Sequence, residues 1–130
     1  RSWSPPAPWT YDDGTPFFSP SAHSQLVPHS SGRLFWIGNI CAARAARGND
    51  PRYPLVVGEV DTHTGLLERS SVTTIADRQP DQPAQIQFSN FQTYEDRVTH
   101  ELVLDLPYYY PNRAGTGDTG DLFRYRLRVK

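Results

Sequence analysis

The cleanest pattern in the chain comes last. Over residues 122–130, Phe123, Tyr125, Leu127 and Val129 alternate with Arg124, Arg126, Arg128 and Lys130. That period of two puts apolar and basic side chains on opposite faces of a β-strand. Residues 33–40 carry the same period with two apolar faces: Leu34, Trp36 and Gly38 on one, Phe35, Ile37 and Asn39 on the other. Such a strand suits a position between two packed layers. Residues 54–60 are equally apolar, and residues 66–75 are rich in valine and threonine. With residues 23–27, these segments predict four strands in one antiparallel meander. A second set follows: residues 85–91, with Ile86, Phe88 and Asn90 on one face, then residues 100–106, then the terminal strand. No long stretch repeats the helical period; AARAAR at 42–47 has helix propensity but is too short to hold alone.

The connections differ in kind. Tight polar turns at 28–32 and 61–65, each ending in glycine, join the first strand to the second and the third to the fourth. Residues 41–53 and 76–84 are longer, 92–99 reads as a charged turn, and 107–121 reads as a second long loop containing Tyr108, Tyr109 and Tyr110. Alternate connections of a meander fall on opposite ends of its sheet. The long loops are therefore expected on one end, together with the aromatic segment before His23, and loop-bearing ends commonly carry function. The fold class is all-β, and two antiparallel meanders in series suggest about two blades of a β-propeller: residues 23–76 as one blade and 85–130 as a last, incomplete blade. Its missing fourth strand predicts a partner, the rest of a longer parent chain.

Composition narrows the chemistry. Twelve prolines and nine glycines favour short segments joined by turns. Residues 1–22 combine Pro5, Pro6, Pro8, Pro16 and Pro20 with Trp3, Trp9, Tyr11, Phe17 and Phe18, which predicts an ordered, irregular segment packed on another surface. Within it Asp12, Asp13 and Gly14 read as a turn. A net charge of −1 with mixed signs offers no field for nucleic acid or an anionic membrane surface. The single cysteine, Cys41, excludes an internal disulfide and reads as a small packed residue. His23, His29, His63 and His100 lack metal-ligand spacing, residues 115–121 lack the ligand periodicity of a calcium loop, and no cofactor is expected. The cluster Tyr94, Glu95, Asp96 and Arg97 reads as a solvated turn. The basic row from Arg124 to Lys130 reads as the solvated face of an edge strand.

DDGTPFFSPSAHSQL (12–26), SGRLFWIGNI (31–40), NDPRYPLVVGEVDTHTGLL (49–67) and QFSNFQTYEDRVTHEL (87–102) together resemble the C-terminal part of sialidase-superfamily glycoside hydrolases. The resemblance implies a six-bladed propeller with a central site, arginines on a substrate carboxylate, a Tyr–Glu nucleophile pair and an aspartate acid/base. It makes Arg52 the candidate carboxylate-binding arginine, a role suited to the planar fork of a guanidinium. Asn39, Tyr53, His23 and Asn90 complete the candidate substrate-binding set, and the implied partner is a glycan. Three positions depart from the pattern: only Asp61 and Gly65 remain of the Asp-box, Phe88 stands where a nucleophilic tyrosine is expected, and Gln25 stands where relatives carry arginine. Phenylalanine has no hydroxyl with which to attack a sugar, so no catalytic residue is assigned. Hydrolysis also needs paired carboxylates, and Asp50, Asp77, Asp81, Asp118 and Asp121 lie near the expected loop end without being singled out by spacing. Two functions remain open: a sialidase-like glycoside hydrolase, or a non-catalytic carbohydrate-binding or scaffold propeller. The tyrosines of the loops suit either sugar stacking or simple packing.

Overall fold

The computed structural model describes residues 2–42, 45–111 and 118–130. Arg44, part of the AARAAR run and residues 112–117 of the glycine-rich connection lie outside the described residues. Strands β1 (Gln25–Pro28), β2 (Leu34–Asn39), β3 (Leu55–Val60) and β4 (Thr73–Ala76) form the predicted antiparallel meander in that spatial order. Its register pairs Asn39 with Leu55 and Leu55 with Ala76 at one end, and Pro28 with Leu34 and Leu34 with Val60 at the other. The fourth strand is shorter than expected. Leu67 leaves the line by bridging Val60 and Tyr11, and a 3-10 turn (Arg69–Ser71) precedes β4.

The second sheet is built on β7 (Leu102–Pro111), which pairs along its whole length with β8 (Asp118–Leu127). The opposite edge of β7 is shared by β5 (Gln87–Phe88) and β6 (Gln92–Glu95). Phe88 faces Tyr108 and Gln92 faces Asp105, so Ser89, Asn90 and Phe91 oppose only Leu106 and Pro107. This is a β-bulge. Asn90 supplies its left-handed backbone, φ 57°, a conformation asparagine adopts more readily than most residues.

Two sequence expectations are corrected here. Residues 92–95 are strand rather than charged turn, because Thr93 pairs with Leu104 on the core side and is buried. The expected loop 107–121 is largely hairpin: Tyr108, Tyr109 and Tyr110 lie in β7, where aromatic residues suit a pleated surface.

The layers follow from the strand periods. Val27, Phe35, Ile37, Leu55 and Ala76 of the first sheet meet Ile86, Phe88, Phe91, Leu102, Leu104 and Leu106 of the second. The other face of the first sheet presents Trp36, Val56, Val60 and Leu67, and the N-terminal segment covers it with Trp9, Tyr11 and Phe17. The two apolar faces read in β2 thus have two partners. Trp36 meets Trp9 edge-on at 5.6 Å and Phe17 at 5.8 Å. Its indole lies over Gly38, where an added Cβ would come within 2.3 Å of the ring. Asp12, Asp13 and Gly14 do form a turn, with Gly14 at φ 78°. The segment does not gather at the loop end as expected. Trp9 Nε1 donates to Gly65 O (2.7 Å) at one end, while Cys41 N donates to Phe18 O (2.9 Å) and Ser21 N to Gly48 O (2.7 Å) at the other.

Candidate functional site

The register brings residues 40–42, 45–54 and 77–86 to one end of the molecule, beside β5 and the Tyr108–Tyr110 part of β7. Arg52 is fixed there by its backbone. It bridges Gln87 in parallel, and its carbonyl accepts from Phe88 N at 3.0 Å. Its half-buried side chain donates from Nε to Asn49 O at 3.1 Å. With its amide oriented to satisfy both groups, Asn49 accepts from Arg52 Nη2 (3.1 Å) and donates to Ser21 O (3.0 Å). Among the described residues, no carboxylate pairs with Arg52.

Asn39 sits beneath this loop at 1% exposure. Its Nδ2 donates to Pro54 O (3.2 Å) and Phe88 O (3.1 Å), so it ties the loop to the second sheet, while its Oδ1 has no protein partner. Tyr53 packs half-buried on the inter-sheet core. His23, just before β1, is exposed and stacks edge-on against Phe91 at 4.7 Å; Asn90 is exposed on the bulge. The structure therefore groups Arg52, Tyr53 and Asn39 around Pro54 and Phe88. His23 and Asn90 form a second group around Phe91. Phe88 itself has no exposed surface and packs against Tyr108 at 4.5 Å. The Tyr108 hydroxyl meets that of Tyr125, and burial pushes its pKa up.

Cys41 is buried, with its thiol donating to Phe18 O at 3.3 Å. Burial pushes its pKa up, the opposite of what a thiolate nucleophile needs. Among the described residues, no group of three or more His, Cys, Asp and Glu could hold a metal ion.

At the opposite end lies a polar cluster that the sequence reading treated as separate solvated turns. Glu95 accepts from Ser30 N (2.8 Å) and Ser30 Oγ (2.5 Å), and lies 2.8 Å from His100 Nδ1. His29 Nε2 reaches His100 O at 2.9 Å. The hydrogen bond from Ser30 Oγ, then that with His100, holds the Glu95 carboxyl down at about 2. Ser30 Oγ is 3.1 Å from the same His100 Nδ1 that meets Glu95. A relay needs the acid and the nucleophile on different ring nitrogens, so this cluster joins the sheets instead. Its members stand 65 and 70 positions apart, and no linear motif marks them.

The three arginines of the C-terminal basic row are exposed but paired. Arg124 holds Asp105 through two bonds of 2.6 and 2.8 Å, Arg126 reaches Asp96 and Glu101 at 3.3 Å, and Arg128 reaches Glu101 at 3.0 Å. The arginine hydrogen bonds lower the pKa values of Asp105 and Glu101; Asp96 is lowered first by the Val98 and Thr99 amides.

These elements define an all-β chain of antiparallel sheets, one a four-stranded meander. No family model, curated protein or solved structure matches the chain.

Proposed function

We propose that the loop end is the glycan-facing surface of a sialidase-like β-propeller, with Arg52 contacting the carboxylate of an acidic sugar. The observation that carries this reading is the state of Arg52. Arg33, Arg69, Arg124, Arg126 and Arg128 hold carboxylates, whereas Arg52, held by the Asn49 carbonyl and amide, shares with Arg78, held by the Gln82 carbonyl, the lack of an ion-pair partner among the described residues. A guanidinium positioned by neutral acceptors keeps donors for an anionic ligand. Tyr109, which pairs with Gln87 beside Arg52, supplies exposed aromatic surface at the same end. Two sheets packed face to face through Phe35, Ile37, Phe88 and Leu104 agree with neighbouring blades.

The burial of Phe88 favours binding over hydrolysis. The position that the family resemblance gives to the nucleophile lies within the core, where even a hydroxyl would not meet a sugar. The test is titration with sialyllactose and with lactose, followed by calorimetry. Binding of the acidic sugar and about a tenfold or greater loss in Arg52→Ala support the reading, since a charge-assisted hydrogen bond contributes about 1.5–3 kcal/mol. Equal affinity for the two sugars, or binding unaffected by Arg52→Ala, would overturn it.

A further inference from the structure

The end of the molecule opposite Arg52 holds a cleft of about 450 Å³, bordered by His29, Thr99, His100, Glu101, Arg128 and Lys130. Its carboxylates are already committed. Glu101 gives Oε1 to Arg128 Nε and Oε2 to Arg126 Nη1, and Glu95 is taken by Ser30 and His100. Three donors are not committed: among the described residues, the Arg128 Nη groups, the Lys130 ammonium and the Thr99 hydroxyl have no protein acceptor. The cleft therefore carries spare donors, while the acids beside it already have partners.

The frame around these donors is built. His29 has 5% side-chain exposure and engages Ser31 through Nδ1 and the His100 carbonyl through Nε2. His100 stands at φ 56°, an uncommon conformation for a residue with a side chain, and Asp96 caps its turn through the amides of Val98 and Thr99. The Lys130 carbonyl is held by Arg33 Nη1 at 2.8 Å, which fixes the last residues of the chain against the first sheet.

We propose that this cleft binds a tetrahedral oxyanion, a phosphate or sulfate group. A carboxylate would be satisfied by the Arg128 fork alone, whereas guanidinium, ammonium and hydroxyl donors around one cleft suit an anion with three outward oxygens. The site is separate from the loop end and does not rest on the glycan reading.

The test is a titration of ¹⁵N-labelled protein with inorganic phosphate and with sulfate at constant ionic strength, with chloride as the control. Saturable shifts at Thr99, His100, Arg128 and Lys130 are expected. Arg128→Gln with Lys130→Gln should weaken them about tenfold or more, while Arg52→Ala leaves them unchanged. Tighter binding of glucose 6-phosphate or glucosamine 6-sulfate than of the free ions would identify a sugar ester as the source, and equal binding the free anion. Shifts that stay linear with concentration, that chloride reproduces, or that persist in the Arg128→Gln/Lys130→Gln protein would overturn the proposal.

Discussion

Substituting Gly38 by alanine tests the three-layer arrangement at its tightest point. The new methyl would lie 2.3, 2.6 and 2.9 Å from atoms of the Trp36 indole, so the ring must move or β2 must shift. Trp36 is buried, and its ring holds Trp9 and Phe17 in place. Losing those two aromatic contacts costs about 1–3 kcal/mol, and overpacking adds ~1–3 kcal/mol. Alanine recovers about 0.4–1 kcal/mol by restricting the unfolded chain. A net loss of roughly 2–4 kcal/mol follows, which for a domain of this size lowers Tm by about 6–20 °C. Urea unfolding followed by tryptophan fluorescence measures it, and near-UV circular dichroism reports the displaced aromatic cluster. In a Trp36→Leu background the second substitution should be much cheaper, because the two positions share one contact. A Gly38→Ala protein as stable as the parent, or equal costs in both backgrounds, would refute the layering of the N-terminal segment on β2.

Further outcomes can be measured directly. Glu95 has its folded pKa lowered to about 2, so its contribution is present above the unfolded value near 4.5 and fades as pH falls toward 2; urea midpoints between pH 6 and 2.5 should drop more steeply for the parent than for Glu95→Gln. Asn39→Ala removes the donor from the Pro54 and Phe88 carbonyls and should cost about 2–4 kcal/mol by chemical denaturation, while Asn39→Asp should cost at least as much. Cys41 should react with a thiol reagent slowly in native buffer and rapidly in urea; equal rates would contradict its burial. A double-mutant cycle between Asp105 and Arg124 should give a coupling close to zero, despite the bidentate geometry, because solvent screens the exposed pair.

How much of this was legible depended on whether the information was local. The first meander was readable because β2 and β3 carry uninterrupted apolar patterns bounded by Gly32 and the Asp61–Gly65 turn. The second sheet was half-readable. Tyr108, Tyr109 and Tyr110 beside two prolines look like loop, yet ten pairs with β8 hold them in a strand. The charged QTYE segment looks like a turn, but burial of Thr93 against Leu104 decides the matter. The bulge between β5 and β6 breaks the period of two, so a single strand was expected to end where a second half resumes. Of the five residues expected in one substrate-binding set, Arg52, Tyr53 and Asn39 lie around Pro54 and Phe88, whereas His23 packs on Phe91 and Asn90 sits on the bulge. The Ser30–Glu95–His100 cluster was invisible because turns far apart in the chain create it.

The position of β7 in the chain has a consequence for synthesis. The first sheet is complete once Ala76 has emerged, but β5 and β6 have no partner until β7 follows, and β8 follows that. At about 5–20 residues per second, the roughly fifty residues between Ala76 and Leu127 take ~3–10 s. During that interval Val27, Phe35, Ile37 and Leu55 lack their covering layer. The nascent first sheet thus keeps one apolar face open until β7 emerges, and slow codons placed before β7 would lengthen the period in which it can aggregate.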